Sequence, residues 1–259
     1  MDPMKLKLSP RNLLLAALLG ASAWLPTHAG DGHAVHWGYS GEEGPEHWGD
    51  LSAEYTSCKL GQQQSPIDVR ATDDKELTPL TLKYQAAAIH AVNNGHTVQY
   101  TIDNGSELQL GERGLKLLQV HFHAPSEHHI NGVPFPAEAH FVHRDANGKL
   151  AVIGVMFVEG AANATLESWW RYMPDNSGQH LDPADASPVD PHALLPADLA
   201  YYTYAGSLTT PPCSEGVTWI VLKQPVEVSK AQIERFRAAM HEHDNNRPLQ
   251  PLHARVVQD

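Results

Sequence analysis

Gln119-Val120-His121-Phe122-His123, read with Glu138-Ala139-His140-Phe141-Val142 downstream, decides how this chain folds. From Leu115 to His123 the residues are apolar and β-favouring, so the stretch reads as a strand. Side chains alternate faces along a strand, which points His121 and His123 the same way, about 7 Å apart, and sends Phe122 to the other face. Residues 138–144 read as a second strand in which Glu138, His140 and Val142 share a face. Antiparallel pairing with those faces aligned brings three imidazoles to one point. Three neutral histidines with a fourth position left for solvent are the ligand set of a catalytic zinc ion.

The same alternation places Gln119 two residues before His121, and Glu138 two before His140, on the ligand face. Zinc-bound histidines donate their second ring N–H to an acceptor that fixes tautomer and orientation, and Gln119 and Glu138 are placed to accept. Val142 puts an apolar wall beside them. An H-x-H pair alone says little in a chain with 17 histidines. His241-Glu242-His243 shows why: it ends a helical pattern, and two residues apart on a helix is about 200° of rotation. The weight rests on the combination.

The 259 residues fit one large domain. Lys5, Lys7 and Arg11 precede the apolar run Leu13–Leu19, and Thr27-His28-Ala29 offers a small-residue cleavage site. Residues 1–29 read as a secretory signal peptide, too short and wrongly flanked for a permanent span, with Met1-Asp2-Pro3 standing before a natural start at Met4. The formal charge of −12 becomes −14 without those residues, which hold three basic and one acidic side chain. No basic stripe remains for nucleic acid. The two cysteines, Cys58 and Cys213, favour a disulfide in an exported protein.

Residues 30–60 read as an aromatic-anchored segment, with Trp37, Tyr39 and Trp48 and little periodicity. Strand-like runs follow, punctuated by hairpin signals at Asn94-Gly95, Asn104-Gly105 and Asn147-Gly148. Leu150–Val158 is apolar throughout, as a buried strand requires, and residues 164–172 have helical spacing. Residues 174–196, rich in Pro and Asp, read as ordered irregular chain, and residues 200–204 and 217–222 as strands. Ser229 with Gln232 forms a capping box opening a helix that ends near His243. No linker or repeat appears. The pattern predicts a mainly β single domain over residues 30–259, with a few short peripheral helices.

In these residues the chain resembles the α-class carbonic anhydrases, in particular their exported bacterial branch. The resemblance is carried by the ligand strands and by His36-Trp37-Gly38-Tyr39, Gln64-Ser65-Pro66-Ile67-Asp68, Asn93-Asn94-Gly95-His96, Ser126-Glu127-His128, residues 204–212 and residues 246–252. It implies a twisted, mixed but mostly antiparallel sheet of about ten strands. It implies reversible hydration of carbon dioxide to bicarbonate and a proton by a zinc-bound hydroxide, with a weak esterase side activity, inhibition by sulfonamides and anions, and a periplasmic location as monomer or homodimer. Residue by residue, it implies His121, His123 and His140 as zinc ligands and Gln119 and Glu138 as their acceptors. Thr209 corresponds to the family's gatekeeper threonine, Glu127 to its partner, and Thr210 to the polar side of the site. Val142, Val152, Leu208, Val217 and Trp219 correspond to the carbon dioxide wall, and His96 to the proton shuttle, with Tyr39, Asn94 and Gln99 on its water chain.

The chain departs from animal members after His123, where it reads Ala124-Pro125-Ser126. His121-x-His123-x₃-Glu127 also resembles the first motif of a cupin, which would make Glu127 a ligand to iron, manganese or nickel. No second cupin motif is present. A non-catalytic periplasmic zinc-binding module is the other alternative, although such relatives lack one or more of the histidines and all three stand here.

Overall fold

A computed structural model describes residues 35–259, so the predicted signal peptide lies outside the described residues. Among them are strands β1 (Asp68–Val69), β2 (Thr81–Lys83), β3 (Ala91–Asn93), β4 (Val98–Thr101), β5 (Glu107–Leu110), β6 (Arg113–His123) and β7 (His129–Ile130). There follow β8 (Ala137–Arg144), β9 (Leu150–Glu159), β10 (His180–Leu181), β11 (Tyr201–Ser207), β12 (Glu215–Leu222) and β13 (Val226–Val228). The helices are α1 (Trp48–Leu51), α2 (Ser57–Leu60), α3 (Ala164–Trp170) and α4 (Lys230–Ala239).

Eleven strands form one sheet with the order β10-β3-β4-β6-β8-β9-β12-β11, extended by β5 on β6, β2 on β5 and β13 on β9. Only β12 and β13 run parallel to β9, so the sheet is mixed and mostly antiparallel, as expected. The remaining two strands, β1 and β7, pair with each other.

One irregularity in β6 sets which face carries the histidines. Leu117 pairs with His143 but Gln119 pairs with Val142, so Leu118 is an extra residue that shifts the alternation. Leu115 and Leu117 point to the large core, and after the bulge Val120 and Phe122 do so. There they meet Trp169 and Trp170 of α3 and Phe236 of α4. Without the bulge, His121 and His123 would have continued on the face of Leu117.

Three local readings are corrected. Asn104-Gly105 is not a hairpin turn, because β4 and β5 do not pair with each other. Both lie along β6, at His121–Gln119 and at Lys116–Arg113, with Asn104 in the bend between them. The Asn104 amide donates to Gln85 O and Ala86 O, which anchors that bend. Second, α4 opens with both bonds of the Ser229–Gln232 capping box but ends at Ala239. His241 and Glu242 have positive φ of 53° and 62°, and left-handed residues stop a helix there. Third, residues 174–196 are not wholly irregular: they carry β10, which closes the β3 edge of the sheet.

The N-terminal segment is aromatic-anchored, as read. Trp48 Nε1 donates to Gly38 O and Glu43 O, and Trp37 and Tyr39 pack edge-on against its ring. Arg247, fully buried, ties this segment to the body. It donates to Gln64 Oε1, Ser65 O and Cys58 O and lies over the Trp48 ring. Cys58 and Cys213 form the expected disulfide, with Cα atoms 5.0 Å apart.

Candidate metal centre

The two ligand strands meet in the register the alternation requires. His121 on β6 stands directly opposite His140 on β8, and His123 opposite Glu138. The ring centroids of the three histidines lie 4.5 to 5.0 Å apart, and one nitrogen from each falls within 4.8 Å of the others. His121 Nδ1 lies 2.8 Å from Gln119 Oε1, and His140 Nε2 lies 2.9 Å from Glu138 Oε1. His123 Nδ1 donates to the carbonyl oxygen of Asn245 at 2.7 Å, an acceptor invisible in the strand pattern. An outward donation from each ring leaves His121 Nε2, His123 Nε2 and His140 Nδ1 as lone pairs facing one another.

That arrangement fits a cation. His123 Nε2 is buried without a hydrogen-bond partner, and His121 Nε2 stands 3.3 Å from His140 Nδ1. Three converging imidazole nitrogens, once free of protons, are the donor set zinc takes. Burial, then the neighbouring imidazoles, holds His121 well below the ordinary histidine range. Burial also lowers His123, against the opposing charge of Glu127. Burial would lower His140, but the charge and hydrogen bond of Glu138, joined by the charge of Glu127, raise it.

Glu138 is the most heavily used group of the site. Its Oε1 accepts from His140 Nε2 and from His128 Nδ1 at 2.8 Å, and its Oε2 accepts from the backbone N–H of Glu127 and of His128, both at 2.9 Å. Burial alone would raise its pKa, but the charges and hydrogen bonds of His128 and His140 hold it well below the carboxylate range. His128 Nε2 in turn lies 2.6 Å from the Tyr204 hydroxyl, which lies 2.9 Å from Ser65 Oγ. The strand-parity reading missed His128. Its adjacency to Glu127 in Ser126-Glu127-His128 was the only signal.

Glu127 and Thr209 stand apart in their hydrogen bonding. Glu127 Oε1 accepts from Arg247 N–H at 2.8 Å, whereas its Oε2 is buried without a partner, 3.5 Å from His123 Nε2. Thr209 is buried, but no hydrogen bond joins it to Glu127. Thr210 is half-buried beside it and accepts from Cys213 N–H.

The apolar residues do assemble. Val152, Val217 and Trp219 are buried in one cluster, with Val142 and Leu208 packed against it, and the Trp219 ring lies 4.8 Å from that of His140. Gln99 stands opposite His121 in the register of β4 and β6. His96 is half-buried on the turn between β3 and β4, its ring stacked on Trp37 at 3.6 Å. Burial, then the nearby His36, lowers its pKa. It borders a groove of about 720 Å³ that opens past Tyr39 and Asn94. Asn94 is exposed, and its Oδ1 accepts from the N–H of His96 and Thr97, which shapes the turn. The Tyr39 hydroxyl is buried without a partner.

Comparison with known proteins supports one family. The model of eukaryotic-type carbonic anhydrase matches residues 43–259. A carbonic anhydrase of Pectobacterium atrosepticum is 45% identical over 247 residues, 95% of this chain and 96% of its own. The α-carbonic anhydrase of Thermovibrio ammonificans, solved with the inhibitor sulfanilamide, superposes with a TM-score of 0.84 at 51% identity, covering 87% of this chain and 99% of that one. The α-carbonic anhydrase of Photobacterium profundum superposes with a TM-score of 0.81 at 44% identity, covering 86% and 100%. Motif order, sheet and histidine geometry agree with these matches, and the chain belongs to the eukaryotic-type, or α-class, carbonic anhydrases.

Proposed function

We propose that this carbonic anhydrase works through one zinc ion held by His121 Nε2, His123 Nε2 and His140 Nδ1. The observation that carries the reading is the convergence of three outward-donating imidazoles, half-buried His121 and buried His123 and His140, with His123 Nε2 left without any partner. When bound, zinc lowers the pKa of its water to about 7, the value known for carbonic anhydrase, and so supplies a nucleophile at neutral pH.

The chain's own residues do the rest. Neutral imidazoles leave the charge of the ion undiminished, which thiolate or carboxylate ligands would not. Carbon dioxide is uncharged and barely polar, so it takes an apolar wall, and Val142, Val152, Leu208, Val217 and Trp219 provide one beside His140. Arg247 N–H occupies Glu127 Oε1 and leaves Oε2 without a partner, an acceptor that the Thr209 hydroxyl would fill in the working enzyme. A threonine hydroxyl has one proton, so Thr209 then presents only acceptor lone pairs to the site and orients any donor there. Each hydration releases a proton. His96, the stacked ring at the groove, takes it to buffer, an imidazole whose pKa burial lowers from the ordinary histidine value and which therefore gives the proton up readily.

We further propose that the protein is exported to the periplasm after cleavage at Ala29. The Cys58–Cys213 disulfide suits an oxidising compartment, and no helix of the described residues is long and apolar enough to cross a membrane. The sulfanilamide complex of the Thermovibrio ammonificans enzyme supports sulfonamide binding at this site as well.

The cupin reading falls with the family, and Glu127 keeps the place of a partner residue rather than a ligand. The test is stopped-flow carbon dioxide hydration by protein stripped of metal and then reloaded. Activity should vanish, return with zinc and be blocked by a sulfonamide. Hydration that survives stripping would refute the assignment.

A further inference from the structure

In the middle of β9, where every residue from Ala151 to Phe157 is buried, stands a glycine. Glycine weakens a strand interior, so its presence there calls for a close approach by another group. Gly154 pairs with His140 on one side and with Val221 on the other, which aims its missing side chain at the metal face. A Cβ placed on it would stand 2.8 Å from Glu138 Oε1, closer than such atoms come in proteins. The next side chain, Val221, would be met at an ordinary 3.8 Å. The notch at Gly154 is therefore filled by the Glu138 carboxylate.

That carboxylate has nowhere else to go. It is fully buried and accepts four hydrogen bonds, so any displacement breaks some of them. The oxygen a methyl group would strike is Oε1, the one that holds His140 Nε2. We propose that Gly154 is a positioning residue of the metal centre. Its lack of a side chain seats Glu138 so that His140 donates from Nε2 and keeps Nδ1 turned toward His121 and His123. The inference rests on the zinc reading above and extends it to a residue that touches neither metal nor substrate.

Gly154→Ala tests it, read by the rate at which zinc-loaded protein loses its metal to an excess of chelator. Groups that orient a zinc ligand are worth about 10–100-fold in metal affinity or activity, and Gly154→Ala should speed zinc loss within that range. Glu138→Ala supplies the decisive second arm. With the carboxylate gone the added methyl meets only Val221, so Gly154→Ala/Glu138→Ala should lose zinc no faster than Glu138→Ala alone. A glycine needed only for packing would instead show the same cost in both backgrounds, and that result would overturn the proposal. Zinc retention by Gly154→Ala equal to that of the native protein would do so too. If Gly154→Ala does not fold alone, the double variant should still fold as Glu138→Ala does, and its failure would count against the inference. Native protein that holds no zinc would instead sink the metal reading itself, so the two failures are distinguishable.

Discussion

The carbonyl oxygen of Asn245 accepts the Nδ1–H of His123 at 2.7 Å. The same residue holds the turn of His96, because its Nδ2 donates to His96 O and Phe122 O, both at 3.0 Å, while its Oδ1 accepts from Ala124 N–H. One buried asparagine thus steadies both His123, the proposed metal ligand, and the turn of His96, the proposed proton shuttle. Asn245→Ala keeps the carbonyl but removes three hydrogen bonds, leaving the buried Ala124 N–H without its acceptor, while Phe122 O still accepts from Thr97 Oγ1. We expect a loss of about 2–4 kcal/mol in denaturant unfolding, together with faster zinc release. An unchanged unfolding midpoint would separate Asn245 from both roles.

His140→Ala should lose tightly bound zinc and hydration activity together, measured by metal analysis of the dialysed protein and by stopped flow. The partner exchange at Glu138 would leave His128 as its only imidazole donor, so the variant should also be less stable. Stoichiometric zinc in the variant would remove His140 from the ligand set.

His96→Ala and Thr209→Ala should fail in different ways. Loss of His96 should slow hydration in dilute buffer, recover with imidazole-type buffer, and leave the far slower ester hydrolysis nearly unchanged. Loss of Thr209 should lower both activities, with no rescue by buffer. A His96→Ala enzyme as fast as the native one in dilute buffer would move the shuttle elsewhere.

His143 should make the fold sensitive to acid. Buried on the core face of β8, its Nδ1 lies 3.3 Å from Ala151 O and its Nε2 2.6 Å from the Tyr84 hydroxyl. Burial pushes its pKa down to about 4, against the hydrogen bonds of Ala151 and Phe141. The unfolded chain takes up this proton near pH 6.5, so the folded state loses stability as pH falls from there toward 4. The contribution is about 3 kcal/mol across that window. His143→Gln should flatten this part of the stability curve, read from unfolding midpoints at several pH values. An unaltered slope would assign the acid sensitivity to other groups.

Reduction of Cys58–Cys213 opens a link across 155 residues, valued at roughly 4–5 kcal/mol by chain-entropy models. Cys213 lies four residues beyond Thr209, so the reduced protein should melt lower and lose some activity. Equal melting temperatures with and without reductant would contradict this.

Much of the centre was legible because β-strand alternation is a strict rule. From the sequence alone it aligns His121 with His123 and His140, and Gln119 and Glu138 with them. What escaped were contacts that depend on distant chain meeting in space. Asn245 reaches His123 from beyond α4, and Gly154 shows its purpose only once β9 lies beside β8. The bulge at Leu118 was hidden because Leu115–His123 is apolar enough to read as one regular strand. His241 and Glu242 adopt left-handed backbone that their side chains do not favour, so the sequence read on as helix past Ala239. At Asn104-Gly105 a strong hairpin signal served a bend along one sheet edge, because turn chemistry does not specify which strand pairs next.

The most direct measurement is a zinc titration of the metal-free protein with the initial rate of carbon dioxide hydration as readout. The account predicts a rate that rises in proportion to added zinc and stops at one equivalent per chain, with His121→Ala, His123→Ala and His140→Ala each abolishing the break. A rate independent of zinc, or a sharp one-equivalent break that persists in those variants, would contradict it.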